Sequence, residues 1–384
     1  MMLEKKFSID EDTLASFKTE MDAIGQAAKE DIGPQDLLHL NKFVSMSRIC
    51  TISGLLIGLY SVNIFAIFLI SLGNFARWIA AHHITHRGYD SVPGIPRRFK
   101  SEHFAKGWRR FIDWFDWMYP PAWNIEHNIL HHYSLNELRD PDLVIENIPK
   151  SFEENTPRWL RVIYFIGASA TWKFIYYAPS TWKQYLLKKK KSLQTGNDNR
   201  LQTSDIVKLY GNPIENWRFY AFSVLPYPVF FFLLIPALAG VVFSWNVAQI
   251  LFWNLILAEL VTNIHSFAVI VTNHAGEDLY RFDSPTKNKG EFYLRQVLGS
   301  VNFKTGGDLN DFMHGWLNYQ IEHHLFPDLT MLQYQKIQPK VKALCAKYEI
   351  PYQQQSVFVR VKVLFNIYTK SQKNMKLLEI TSNT

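Results

Sequence analysis

The 384-residue chain carries 41 Lys and Arg against 34 Asp and Glu, a net charge of +7, with 48% hydrophobic and 15% aromatic residues. No stretch interleaves basic and aromatic residues in the way nucleic-acid binding needs, which excludes nucleic acid as a partner and leaves adhesion to anionic lipid headgroups as the reading of the positive excess. Two cysteines, Cys50 and Cys345, are too few for a disulfide framework or a CxxC site, which favours a reducing compartment for the aqueous part of the chain.

Residues 1–44 read as a soluble N-terminal amphipathic region. Glu4, Asp10, Glu11 and Asp12 interrupt any apolar core of a signal peptide. Ser8-Ile9-Asp10-Glu11 has the form of a capping box, and Leu14, Phe17, Met21 and Ile24 follow at helical spacing until Gly33-Pro34. A membrane domain over 45–350 follows. Ile49 to Ala76 is a run of 28 uncharged residues, more than the ~20 that cross a bilayer. The wider stretch Ser45–Ala81 fits either one span or a hairpin bent near Ser61–Asn63. Basic residues at its end (Arg77, Arg87, Arg97, Arg98, Arg109, Arg110) put that end in the cytosol.

Residues 99–118 mix charges with Phe104, Trp108, Phe111, Ile112 and Phe115, which predicts an interfacial amphipathic helix broken by Pro120-Pro121. The aromatic stretch 159–182 is also expected to be interfacial, since Arg161 and Lys173 interrupt it. Lys188–Lys191 and the polar residues through Asp205 predict a cytosolic linker. Phe219 to Ala258 is 40 residues without a charge and fits two spans turning near Ser244–Asn246. The expected fold is therefore all-α: a polytopic membrane bundle of about four spans with a cytosolic cap. After the third histidine cluster the chain reads as soluble, with Leu332–Tyr348 helical, and a soluble tail, 351–384, closes it, with Ser356–Val363 open between strand and helix.

Histidine organises the rest. Six of the 13 His fall in three clusters: His82 and His86; His131 and His132; His323 and His324. His127 joins the second, four residues before His131, and Gln320 stands three and four before the third pair, on one helical face with it. Two crossings between the second and third clusters return the chain to its starting side, so all three share one face of the membrane. Neutral imidazoles without thiolates suit iron, zinc or copper rather than structural zinc. His274, at the end of the last span, is a further candidate ligand. His83 lies off the face of its cluster, while His39, His103, His314 and the intramembrane His265 have no such geometry. Glu259, also intramembrane, shares a face with Asn263, Ile270 and His274, so it either lines a channel or pairs with a neighbouring helix.

These boxes, His82-x3-His86, His127-x3-His131-His132 and Gln320-x2-His323-His324, resemble the three histidine boxes of the integral-membrane fatty acid desaturases. Gln-Ile-Glu-His-His-Leu-Phe-Pro at 320–327 looks like the third box of the front-end branch, and Asp140-Pro141-Asp142 and Thr272-Asn273-His274 look like further family features. The resemblance covers about residues 45–350. It departs from the family at His83, where Asp is usual, in one extra residue in the second box, and at Ile270, where acyl-CoA desaturases carry Asn. No His-Pro-Gly-Gly segment occurs. The resemblance implies two non-haem irons, O2 as co-substrate, and an external electron donor (a b-type cytochrome or a ferredoxin) on the cytosolic face. It also implies an acyl lipid, acyl-CoA or acyl-carrier substrate drawn from membrane lipids of the bacterial inner membrane or endoplasmic reticulum. His82, His86, His127, His131, His132, His274, His323 and His324 would be ligands, and Gln320 would stand where other branches have His. A hydroxylase or ketolase on the same scaffold is the alternative, and a polytopic metal transporter a remote one.

Overall fold

The computed structural model describes residues 7–143, 156–189, 201–370 and 376–377. Helix α1, Glu11–Glu30, starts not at Ser8 but at Asp10, whose carboxylate accepts from the Thr13 amide and hydroxyl, both at 2.8 Å. Asp10 supplies the side-chain cap by itself, so the helix needs nothing from Ser8. Its Leu14, Phe17 and Met21 are buried.

Helices α2, Pro34–Ile57, and α3, Ile64–Thr85, form an antiparallel hairpin, which decides between the one-span and hairpin readings of 45–81. The bend occupies residues 58–63, where Asn63 caps α3 by accepting from Ala66 N at 2.9 Å. Ser47 Oγ donates to Gly73 O across the pair (2.9 Å), and a Cβ at Gly73 would come 2.1 Å from Thr51 Oγ1. The two backbones approach this closely because Gly73 has no side chain.

The amphipathic helix expected over 99–118 does not form. Its residues make two 3-10 turns, Arg97–Phe99 and Gly107–Arg109, and one four-residue helix, α4, Arg110–Asp113. The Asp113 carboxylate accepts from Ala105 N (3.0 Å) and Arg109 Nε (2.9 Å), fastening a turn in which Ala105 and Gly107 both have positive φ. Trp114, Phe115 and Trp117 consequently point into the core, and only Trp108, Phe111 and Ile112 are left outside.

Helix α5, Pro120–Trp123, runs into a π-helical turn, Asn124–His131. Helices α6, Arg158–Trp172, and α7, Ala178–Lys189, are joined by a second π turn, Lys173–Tyr177. The outer face of α6 (Trp159, Ile163, Ile166) is exposed, as an interfacial position requires, but Lys173 is buried. The linker expected over 188–205 falls mainly on residues outside those described; its ends are the last turn of α7 and the start of α8, Thr203–Gly211. Short helices α9, Trp217–Phe219, α10, Pro226–Pro228, and α11, Ile235–Val242, precede the long α12, Trp245–Ile270, which a 3-10 turn extends to His274.

Among the described residues two helices, Ile64–Thr85 and Trp245–His274, are long and apolar enough to cross a membrane. Trp217–Val224 and Pro226–Val242, bent by 46° at Leu225, make a third if they count as one span. The count of about four is thus not reached by length and composition, because α2 carries Lys42 and Arg48 within its length.

Helices α3 and α12 run parallel. Asn63 N donates to Asn254 Oδ1, Thr262 Oγ1 to Ser71 O, and the Phe75 ring lies 4.1 Å from that of His265. Parallel packing brings their C-terminal ends together, and those ends hold His82, His86 and His274. Over them sits a cap of α13, Lys289–Leu298, α14, Asp308–His314, α15, Gln320–Leu325, and α16, Met331–Lys347. Helix α1 packs on α13 and α16, and α17, Val357–Lys370, on α6 and α12. Residues 357–363 are thereby helical, and among the described residues the strands are two-residue pairs, so the all-α class holds.

Candidate metal centre

Nine side chains singled out in the sequence converge where the ends of α3 and α12 meet the cap. One group comprises His82, His86, His127, His132 and His323, and another His131, His274 and His324; within each, one nitrogen per ring lies within 4.8 Å of the others. Gln320 joins the second group, its Nε2 2.9 Å from His274 Nε2 and its Oε1 buried with no partner. All nine are buried.

Local structure explains how the boxes divide. In the second box His127 and His132 share a group, while His131 turns to the other, so the i, i+4 pairing read from the sequence is replaced by i, i+5. The cause is the π turn, closed here by His132 N donating to His127 O at 3.2 Å. A π turn absorbs one additional residue per turn, which is where the extra residue of this box goes. In the third box, Gln320 and His324 face one group and His323 the other. The three do not share a single centre, because the adjacent rings of His323 and His324 diverge, with planes 81° apart.

The outer nitrogens are held. His131 Nδ1 lies 3.0 Å from Asp140 Oδ1, His274 Nδ1 3.4 Å from Gly299 O, and His324 Nδ1 3.1 Å from Gln296 Oε1. All three partners accept, so each Nδ1 bears the hydrogen and each Nε2 keeps a lone pair. In the larger group, Tyr334 donates its hydroxyl to Pro327 O and so accepts from His323 Nδ1 at 3.2 Å. His82 Nε2 faces His323 Nε2 at 2.8 Å and His127 Nε2 at 3.2 Å, and His86 Nε2 and His324 Nε2 have no partner. Converging lone pairs in a dry interior repel unless a cation lies between them. The groups fit a pair of metal ions.

Burial, and then the neighbouring rings, push His86, His127, His132, His323 and His324 well below the usual imidazole range, which keeps them neutral. In His131 the Asp140 charge and hydrogen bond outweigh burial and raise the ring instead. That contact makes its free nitrogen a stronger donor to a metal.

The remaining histidines lie elsewhere. His83 Nε2 meets Gly315 O at 3.1 Å, and His265 Nε2 meets Met313 O at 2.7 Å. Gly315 can place its carbonyl there because it adopts φ +60 and a Cβ would press to 2.6 Å from Ile79. His39 packs edge-on against Trp316, His103 accepts from Arg97, and His314 bonds Asn310 O.

Glu259 does not line a cavity at the centre. It accepts from Trp117 Nε1 (2.8 Å), Tyr227 OH (2.7 Å) and Asn263 Nδ2 (2.9 Å), the pairing alternative of the sequence reading. A cavity of about 100 Å³ does open beside the histidines, bounded by His82, His131, His274 and Gln320 and walled by Trp172, Phe267, Ile270 and Tyr368.

Sequence reasoning missed Glu126, which lies beside His127 and Asp142. Burial, and then the Asp142 charge, push its carboxyl well above the usual range, so it holds its proton. Its place immediately before the second box was a signal. Gln296 and Tyr334, which orient His324 and His323, had none, since only tertiary folding brings them there.

With this geometry in place, comparison with known proteins decides the family. The sequence profile described as "Fatty acid desaturase" matches residues 60–356. The chain belongs to the fatty acid desaturase family. Among its relatives is the NADPH-dependent stearoyl-CoA 9-desaturase of Mycobacterium tuberculosis, 40% identical over 108 residues, which are 27% of this chain and 25% of that protein. The acyl-lipid (9-3)-desaturase of Physcomitrium patens is 33% identical over 101 residues, 26% of this chain and 18% of that one. The Delta(8)-fatty-acid desaturase 1 of Arabidopsis thaliana is 34% identical over 86 residues, 22% and 18% respectively. The match thus spans a quarter or less of each of these relatives.

Proposed function

We propose that the chain is a membrane-bound, two-iron, O2-dependent desaturase of fatty acyl chains, fed by an external electron-donor protein. The observation that carries it is the pair of converging imidazole sets, with their outer nitrogens tied to acceptors, at one wall of an aromatic, apolar cavity. His82, His86, His127, His132 and His323 would hold one iron; His131, His274, His324 and Gln320 the other. When bound, the irons supply the O2 activation that removal of hydrogen from an unactivated methylene demands.

The chain's own residues do the rest. Asp140, Gly299, Gln296 and Tyr334 fix ring orientation. Trp172, Phe267 and Ile270 offer the acyl chain a dry wall and keep water from the centre. Glu126 holds a proton beside His127. The relatives' names cover both acyl-CoA and acyl-lipid carriers, and the shared element is the acyl chain.

The hairpin supports α2 as a fourth crossing. Its second half presents Ile49, Ile52 and Leu56 outward, and its antiparallel packing reverses the direction of α3. Parallel α3 and α12 require the bent pair 217–242 to cross back. Basic residues beside the histidine ends favour the cytosolic face for the centre. Expression in a yeast or bacterial host, followed by gas chromatography–mass spectrometry of total fatty acids, should reveal a new unsaturated acyl species. A hydroxylated species without an alkene would overturn desaturation.

Gln320 separates this site from a purely histidine one. Its amide oxygen is a weaker ligand than imidazole. Gln320→His should keep both irons, whereas Gln320→Leu should lose turnover, iron or both, as read by metal content and product yield. Full activity with full iron in Gln320→Leu would place the amide in an ordinary buried hydrogen bond worth ~1–2 kcal/mol.

A further inference from the structure

A second cavity, of about 480 Å³, lies away from the histidines between α2, α3 and the turns at 98–113. It is within the roughly 300–1,000 Å³ of small-molecule sites. Four arginines line it: Arg48 from α2, Arg77 from α3, and Arg98 and Arg109 from the turns. Arg109 is paired with Asp113 at 2.8 Å, and Asp113 is the only acid in the lining. None of Arg48, Arg77 and Arg98 forms an ion pair among the described residues. Arg77 lies over the Phe231 ring and Arg98 over the Phe99 ring, while Arg48 and Arg98 reach solvent, so three like charges without an acid partner face one cavity and favour an anion that enters among them.

The surroundings identify the anion. The rim carries outward apolar side chains, Ile52 at 57% and Ile112 at 65% exposure, with Trp108 and Phe111 beside it. The lower wall is the α2–α3 hairpin, whose exposed Ile49 and Leu56 continue the apolar surface away from the cap. Aromatic side chains above and aliphatic ones below a cluster of arginines mark headgroup depth in a bilayer. A soluble phosphate would use the arginines and leave the apolar rim wet.

We propose that this cavity binds the phosphate of an anionic phospholipid, with Arg48, Arg77 and Arg98 on the headgroup and the acyl chains lying along the α2–α3 hairpin. Arginine suits the role because its planar fork meets two phosphate oxygens at once. The site is distinct from the acyl cavity, whose lining shares no residue with it. It rests on the membrane placement of α2 and α3 proposed above and not on the chemistry at the histidines.

The test uses the full chain in detergent, titrated with phosphatidylglycerol or phosphatidylcholine, with bound lipid counted by native mass spectrometry. Wild type should retain phosphatidylglycerol at least tenfold more tightly than phosphatidylcholine. Arg48→Gln with Arg98→Gln, both at exposed positions, should erase that preference, and Arg48→Lys with Arg98→Lys should keep most of it. Equal retention of both lipids by wild type, or an unchanged preference in the Gln pair, would overturn the proposal. So would displacement of the lipid by inorganic phosphate or coenzyme A at matched concentration, since that would make the ligand a soluble phosphate. Iron content measured on the same samples keeps the outcomes apart: lost iron with the lipid preference intact strikes the desaturase reading alone.

Discussion

His131→Ala should abolish formation of unsaturated product and lower the iron content from about two to about one per chain, while the protein still inserts in the membrane. His131 is one of three imidazoles in the smaller group, against five in the larger. Removing it leaves His274, His324 and an amide, too few strong donors to retain an ion. The larger group keeps all its members, so its ion should stay. Asp140→Asn is the graded companion. It keeps the shape of the contact at 3.0 Å but withdraws the charge that raises His131, and loss of such an outer partner typically costs ~10–100-fold in metal affinity or activity. His83→Gln is the control: its ring meets Gly315 O rather than either group, and it should keep activity. Alanine there is less informative, because His83 is fully buried and truncation would leave a cavity. The measurements are product yield and metal per chain, and a dead His83→Gln beside an active His131→Ala would reverse the assignment.

Lys173→Met should be strongly destabilising. Lys173 Nζ lies 3.0 Å from Asp116 Oδ2 and 3.6 Å from Glu259 Oε1, with side-chain exposures of 1%, 7% and 8%. Burial lowers the Lys173 ammonium, but the two carboxylates outweigh it and hold it above its usual range. Removing the cation leaves two neighbouring carboxylates in a dry interior. Breaking such a buried pair costs about 3–5 kcal/mol, a large part of the roughly 5–15 kcal/mol that holds a typical domain together. Three segments meet here, the turn before α5, the π turn after α6, and α12, so the loss should misplace all of them. The expected result is a thermal transition lowered by many degrees in detergent. Adding Asp116→Asn and Glu259→Gln should restore much of it, because the uncompensated charge is then gone. A Lys173→Met protein as stable as wild type would mean that water reaches the cluster.

Much of the centre was legible because imidazole is scarce and its spacing is specific. All nine predicted side chains meet, and Asp140 was visible as part of Asp-Pro-Asp. How the boxes divide between two groups was not legible. The i, i+4 rule assumes an α-helix, and the π turn at Asn124–His131 rewrites it as i, i+5. The same limit appears at 99–118, where apolar periodicity predicted a helix and a single carboxylate, Asp113, gathers the backbone into turns instead. Glu259 looked functional from its position in a span, and only the fold supplies the Lys173, Trp117 and Tyr227 that account for it. Side chains that act through distant partners, Gln296 and Tyr334 among them, leave no mark on local sequence.

Metal analysis of the purified chain, with Mössbauer spectroscopy of protein grown on 57Fe, tests the central claim most directly. Two imidazole groups with separate sets of facing nitrogens predict close to two irons per chain, as two high-spin, nitrogen-rich sites that both disappear from a chain lacking His131 and His323. One zinc per chain with no iron, or a single iron unaffected by those substitutions, would contradict the account.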